Sequence, residues 1–400
     1  MKIFTASFLA ALLMSTWALN ANSTELIEGH LRVSGFGTFA VSQSDNATPY
    51  YVNRNISDDV CWDCDTTLGL QFDATITDSL FASLQLVKRP RDGFSDPGIE
   101  WAYIGWQATD SLQLRAGRLR IPLQLASDYY YVGQSYTWLR LPSEVYNASA
   151  GVNYYTGVGV EYLFEVGDSW TASLYPFWGF HQDNKLDRIQ EQWEIDIEYL
   201  RGVSLRMENE SLVGQVTYLE SKLQNKSIYQ FGGVYDLLTA QGQPAEVIMD
   251  FNFRSIGAGI NYHTGPWDFW GEYSWSKTET TFGGGIGRVG YVGGSYHFDQ
   301  FSPYAVYSKH FGEGPTSSDT ASIGIRWDVL PNVSVTVDYS HMQMNGTFDP
   351  ASIMQPNGQF VYSPYDFNVV SNPMGPPTFD WFKYGEDDVN VTSMGINFTF

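Results

Sequence analysis

Cys61 and Cys64, in the run Cys-Trp-Asp-Cys, are the two cysteines of the chain. Their spacing suits redox chemistry in a cytosolic enzyme, or a disulfide in an exported protein. Zinc would need two further ligands, and no histidine lies near them in sequence. Asp58, Asp59, Asp63 and Asp65 surround the pair. Carboxylate oxygens of this kind can hold calcium, although a solvated acidic loop is the plainer reading. Gly285-Ile286-Gly287-Arg288-Val289-Gly290 matches a dinucleotide fingerprint in form. That motif must close a strand and open a helix, whereas here it leads into Tyr291-Val292-Gly293-Gly294-Ser295-Tyr296, which reads as strand. His30, His181, His263, His297, His310 and His341 are scattered, with none paired at ligand spacing, and no Gly-x-Ser-x-Gly elbow occurs. The expectation is a non-enzyme without a required cofactor.

The elements that would position any site are strands. Leu68, Leu70, Phe72, Ala74 and Ile76 alternate with Thr67, Gly69, Gln71, Asp73 and Thr75. Successive strand residues point to opposite faces, so this segment has one apolar and one polar side. After Thr77-Asp78-Ser79 the pattern resumes at Leu80, Ala82, Leu84 and Leu86, which predicts a hairpin. It recurs near 31–43, 67–77, 80–89, 99–108, 112–122, 156–166, 169–180, 193–207, 211–223, 255–264, 267–279, 287–298, 301–312, 319–329, 333–344 and 389–400, sixteen segments in all. The connections sort by parity. Those at 45–66, 90–98, 123–155, 181–192, 224–254, 280–286, 313–318 and 345–388 are the longer set, several of them long and polar. Those between them are tight turns, such as Gly167-Asp168, Asn209-Glu210, Gly265-Pro266 and Pro331-Asn332. Long loops on one side and short turns on the other predict an all-β transmembrane antiparallel barrel of about sixteen strands.

Composition agrees. Aromatic residues make up 16% and charged residues 16% of the 400, the latter well below the ~25% of soluble domains. Trp101, Trp106, Trp170, Trp267, Trp270, Trp275 and Trp327 fall in strands, several near their ends, as a membrane-interface girdle requires. Residues 1–21 read as an export signal: Lys2, the apolar run Phe8 to Met14, and small residues at Ala18 and Ala21, after either of which cleavage is expected. Residues 22–400 are then a single barrel domain. Export makes a structural disulfide in a surface loop the preferred reading of Cys61 and Cys64. A formal net charge of −22 disfavours nucleic acid as a partner and favours cations.

The last strand carries the sharpest local signal. Met394, Ile396, Phe398 and Phe400 alternate with Gly395, Asn397 and Thr399, and the sequence ends on the aromatic. With the export signal, the sixteen segments, the long third loop and the strand Leu114-Arg115-Ala116-Gly117-Arg118 before it, the chain resembles the Gram-negative trimeric porins. The resemblance implies an integral outer-membrane channel for small hydrophilic solutes and ions. It also implies a homotrimer in contact with bilayer lipid and lipopolysaccharide, handled by the barrel-assembly machinery through the terminal strand. It further implies a third loop folded inward, which makes Asp128, Tyr131 and Glu144 candidates for a constriction.

Strand parity supplies the other candidate lining residues: Arg115, Glu161, Glu165, Glu194, Asp196, Glu198, Arg206, Glu272 and Arg326. Carboxylates outnumber guanidinium groups on the predicted inner faces, which favours cations. Arg118 and Arg120 fall on the outer parity, where lipopolysaccharide phosphate, a subunit neighbour or the loop itself are open as partners. Three other functions stay open. A channel for a particular sugar, peptide or organic anion could use Tyr129-Tyr130-Tyr131 as a sliding surface. An outer-membrane enzyme would need a Ser-His or Asp-His site, which is not found. A non-conducting adhesin or structural barrel could be closed by the 345–388 loop.

Overall fold

The computed structural model describes residues 24–46, 56–89, 97–146, 153–188, 191–229, 246–280, 283–311, 318–344, 368–370, 378–380 and 388–400. The export signal at 1–21 and most of the 345–388 loop lie outside them.

The strands are β1 (Thr24–Ile27), β2 (Leu31–Ser44), β3 (Thr67–Thr75), β4 (Leu80–Lys88), β5 (Gly98–Thr109), β6 (Leu112–Arg120), β7 (Tyr154–Val166), β8 (Trp170–Gly179), β9 (Gln182–Arg188) and β10 (Glu191–Glu208). They continue with β11 (Leu212–Tyr229), β12 (Glu246–Thr264), β13 (Trp267–Thr280), β14 (Gly283–Tyr296), β15 (Phe301–His310), β16 (Ser318–Leu330), β17 (Val333–Met344), β18 (Asn368–Val370), β19 (Thr378–Asp380) and β20 (Asp388–Thr399). Each barrel strand pairs antiparallel with its chain neighbour, β8 and β9 both pair β10, and β20 pairs β17 on one side and β2 on the other. The result is a closed barrel of sixteen staves, with β8 and β9 forming one of them. β1 extends the seam beside β2, where β20 has ended, and β18 and β19 form a separate two-stranded ribbon. Closure removes the exposed edges that would otherwise leave backbone groups unsatisfied in lipid.

The faces follow the alternation. Leu68, Ile104, Val158, Val216, Ile256 and Ile323 are exposed on the outer wall. Ser204, Thr217, Ser255, Ser274, Ser340 and Asn397 are buried on the inner one. An outer wall this apolar is a lipid-facing surface. In the terminal strand, half-exposed Met394 and Phe400 mark the outer face, buried Ser393 and Asn397 the inner. Phe398 stacks on Phe39 and Phe400, and the Phe400 backbone exchanges two hydrogen bonds of 2.8 Å with Gly35 at the seam. The tight turns use the residues that tolerate left-handed backbone: Gly167, Gly265 and Asp299 have φ of 65°, 56° and 51°.

Two departures from the sequence reading concern the long-loop side. β9, β11 and β12 carry strand into the expected 181–192 and 224–254 loops. Beyond the bilayer neither face of a strand has to be apolar, so the alternation that reveals strands disappears there. β10 contains a bulge, with Ile197 opposite Leu223 but Tyr199 opposite Lys222. The extra residue, Glu198, reverses the parity of everything on one side of it.

Candidate functional site

The loop between β6 and β7 folds into the barrel and lies along one side of the inner wall. Its first stretch is set by local bonds: the Gln124 backbone donates to Ser127 Oγ (2.9 Å), and the Ser127 backbone donates to the Gln124 carbonyl (3.1 Å). This turn leads into a short 3-10 helix, Ser127–Tyr129. A second one, Gly133–Ser135, and a single helical turn, α1 (Ser143–Tyr146), follow.

The wall fastens this loop at successive strands. The Pro122 carbonyl accepts from Thr217 (2.7 Å) and Gln215 (3.0 Å) on β11. On β13, Glu272 accepts the Leu125 backbone N–H (2.8 Å), the Tyr291 hydroxyl (2.9 Å) and the Tyr146 hydroxyl. Glu144 enters the wall and accepts Ser308 Oγ (2.6 Å) and Thr320 Oγ1 (2.5 Å). Arg326 donates to the carbonyls of Tyr136 (2.7 Å) and Gln134 (3.2 Å). Arg140 bridges Asp65 (2.6 Å) and Asp338 (3.2 Å), and Asp338 also receives the Tyr304 hydroxyl (2.7 Å). Trp138, 1% exposed, packs between Trp270 and Tyr304 with ring centroids 6.0 Å from each. Gly133 sits where a Cβ would stand 2.3 Å from Asn397 Oδ1, so only glycine lets the loop lie this close to β20.

The other side of the wall stays open. A cavity of about 420 Å³ remains between the loop and strands β5 to β11. Asp128 and Tyr129 border it from the loop; Arg115, Glu161, Arg206 and Tyr103 border it from the wall. Arg115 is held by Glu161 (2.8 Å) and Gln113 (2.6 Å) and lies over the rings of Tyr103 and Tyr175. Glu161 also accepts Ser173 Oγ at 3.0 Å. Arg206 pairs with Glu208 at 3.2 Å. Asp128 is exposed and, among the described residues, has no ion pair. Burial pushes the Tyr129 hydroxyl up to about 12, so it faces the cavity as a neutral donor and acceptor.

The expected lining residues therefore divide. Arg115, Asp128, Glu161 and Arg206 come together at the cavity. Glu272 and Arg326 are instead buried fasteners of the loop, because the wall they project from is covered, and Glu144 is a buried fastener reaching from the loop into that wall. Tyr131 is tucked behind the loop, beneath Arg89 and Arg120 at 6.0 and 5.4 Å, and burial raises its hydroxyl further still. Of the tyrosine run, only Tyr129 borders the cavity. Glu165 is exposed at the turn end of β7, away from the cavity.

The bulge corrects two more. Ile197 and Leu200 are both buried in a cluster with Leu119 of β6 and the loop residues Ile121 and Leu123. Asp196 thus lies on the outer face, where it meets His181 Nδ1 at 3.2 Å, and Glu198 pairs outside with Lys222. The Glu194 side chain lies outside the described residues. Arg120 finds its ion partner in none of the three places left open but on β5, and meets the loop only at the Tyr131 ring. Arg120 turns to the inner side, pairs with fully buried Glu100 and borders the cavity.

Cys61 and Cys64 form a disulfide. It sits against β2 through a backbone bridge between Ser42 and Cys61, with Cys64 packed on Ile56, Met342, Val389 and Val391. Asp65 belongs to Arg140, and among the described residues the four aspartates do not gather into one cation site.

No protein-family profile matches the chain, and no curated protein is similar to it in sequence. Solved structures do match its fold. OmpT of Vibrio cholerae, folded in vitro and in trimer form, aligns at TM-score 0.51 and 13% identity over 93% of this chain and 100% of its own. OmpF of Salmonella typhi in complex with daunomycin aligns at 0.55 and 11%, over 93% and 98%. The anion-selective porin from Comamonas acidovorans aligns at 0.54 and 11%, over 92% and 99%. The chain has the fold of the outer-membrane porins, and its closed, apolar-walled barrel is that of an integral outer-membrane protein.

Proposed function

We propose that the chain is a water-filled outer-membrane channel for passive diffusion of small hydrophilic solutes and ions, and that it prefers cations. The observation that carries this is the charge arrangement at the aperture. Arg115 is paired with Glu161 and Arg206 with Glu208, Arg89 and Arg120 share Glu100, and Asp128 on the loop makes no ion pair among the described residues. A fixed carboxylate bordering the passage raises the local concentration of cations. The barrel alone does not set the sign, since a porin of the same fold is anion-selective. The site side chains do.

A second reading has its own support. Trp101, Tyr103, Tyr129 and Tyr175 border the cavity together with Arg115 and Glu161, a lining that suits a ring-shaped hydroxylated solute such as a sugar. Conductance that saturates with one such solute would favour it. The same proposal includes removal of residues 1–21 on export, assembly through the terminal strand and a homotrimer. The trimer form of a barrel with this fold supports the last.

The test is single-channel recording in a planar bilayer with a potassium chloride gradient. Large steps with potassium preferred are expected. Absence of conductance over repeated insertions would move the weight to a plugged or adhesive barrel.

A further inference from the structure

The inward-folded loop is held at Arg140 by a residue of the first long loop, and that residue stands directly beside the disulfide. Arg140 pairs with Asp65 at 2.6 Å and with Asp338 at 3.2 Å. Asp65 follows Cys64 in sequence, is buried, and also accepts Ser42 Oγ at 2.5 Å. The turn before it is closely held. The Ser42 and Cys61 backbones exchange two hydrogen bonds of 2.9 Å, and Thr66 Oγ1 donates to the Trp62 carbonyl at 2.7 Å. Cys64 is fully buried against Ile56, Met342, Val389 and Val391. Cys61 thus rests on β2, and the cross-link carries that position on to Cys64 and so to Asp65.

A cross-link between residues three apart closes too short a ring to restrain much of the unfolded chain. Its effect is local: it fixes the turn that presents Asp65. It is also open to attack. Cys61 is only partly buried, and Asp58, Asp59, Trp62 and Asp63 around it are exposed. Exposed disulfides are the ones that exchange readily with thiols. Asp63 Oδ1 lies 3.2 Å from Cys61 Sγ, and Asp58 and Asp59 come just before it in the chain. Such acidic surroundings repel an anionic thiol and admit a neutral one.

We propose that the Cys61–Cys64 disulfide is a thiol-operated switch on the inward-folded loop: a small neutral thiol opens it, Asp65 loosens from Arg140, and the loop widens the aperture it borders. This rests on the channel reading. In the first step the thiolate of the reductant attacks Cys61 Sγ, the exposed sulfur, and the bond to Cys64 breaks. Cys64 leaves as a thiolate and takes up the proton that the attacking thiol gave up. A second thiol then attacks the reductant's sulfur in the mixed disulfide and releases Cys61 as a thiol. Two thiols are oxidised to one disulfide and the Cys61–Cys64 pair is reduced. Arg140 keeps Asp338 and Ser393 (2.9 Å), so the loop is loosened and not released.

The test treats the full barrel with 2-mercaptoethanol and counts opened cysteines by mass after alkylation with iodoacetamide. Hydrogen exchange over residues 123–146 should quicken about tenfold on reduction, the scale of one lost charge-assisted hydrogen bond, and single-channel steps should become larger and noisier. Adding the disulfide of 2-mercaptoethanol should reverse both. Cys61→Ser/Cys64→Ser should match reduced wild type and no longer respond to the thiol. The anionic analogue 2-mercaptoethanesulfonate should act several times more slowly. Reduced wild type whose loop exchanges no faster than the oxidised form would overturn the switch, as would a disulfide that 2-mercaptoethanol leaves closed in the folded barrel. Equal rates for the two thiols would overturn the class of reductant. Faster exchange with an unchanged current would overturn the link from loop to aperture. Faster exchange in a barrel that carries no current in either state would instead sink the channel reading.

Discussion

The two sides of the inner wall are built from the same alternating strands and do opposite things. Under the loop, β13 to β17 and β20 present Val289, Tyr291, Tyr304 and Val306, with Glu272 and Asp338 buried among them. Across the lumen, β5 to β11 present Arg115, Glu161, Ser173, Ser204 and Arg206 to an open cavity. On the covered side a carboxylate is a fastener, satisfied by hydroxyls, backbone N–H groups and, at Asp338, the Arg140 guanidinium. On the open side it is part of a field acting on what passes. Inward orientation alone decides neither role; the position of the loop does.

The largest way to break this contrast is at Arg140. Arg140→Ala leaves Asp65 and Asp338 buried without their cation, a loss of about 3–5 kcal/mol by analogy with other buried pairs. The unfolding temperature should drop sharply, and single-channel steps should become larger and noisier as the loop comes away. A smaller loss is expected from Gly133→Val, whose side chain collides with Asn397 and Thr38. Overpacking of this kind costs about 1–3 kcal/mol, and thermal unfolding followed by circular dichroism would measure it. Glu161→Gln should cost less than about 1 kcal/mol, since the Arg115 pair is partly exposed. Its effect should appear instead in the reversal potential, which moves toward chloride as Arg115 loses its partner. Smallest of all is Glu165→Gln, at the turn end of β7, where conductance and selectivity should stay at wild-type values.

Much of the fold was open to reading from sequence. Membrane strands must keep one face apolar, so segments such as Leu68 to Ile76 declare themselves, and the turns at Gly167 and Gly265 mark their ends. The limits have physical causes. Glu198 adds one residue to β10, and a bulge leaves no trace in a pattern of single residues; Asp196 was placed on the wrong face for that reason. Glu272 and Arg326 have the same parity signature as true lining residues, because their burial depends on a loop distant in sequence, and Glu144 on that loop is buried by wall strands equally distant. Neither Arg140, a residue of the third loop, nor Glu100 carries a local signal of its role. Their partners lie on other strands or loops, such as Asp65 and Asp338 for Arg140, and no local spacing links them. The aromatic density of the loop is a usable signal, since so many rings are costly to leave in water, and Trp138 and Tyr136 do pack inward.

The central claim is that the unpaired loop carboxylate sets ion preference, and reversal potential compared between wild type and Asp128→Asn tests it most directly. A unit charge ~6 Å from a passing ion in water is worth roughly 0.7 kcal/mol. The account expects potassium to be preferred in wild type, and the preference to fall about threefold in the variant with the step size nearly unchanged. An unaltered reversal potential, or a wild-type channel that already prefers chloride, would contradict it.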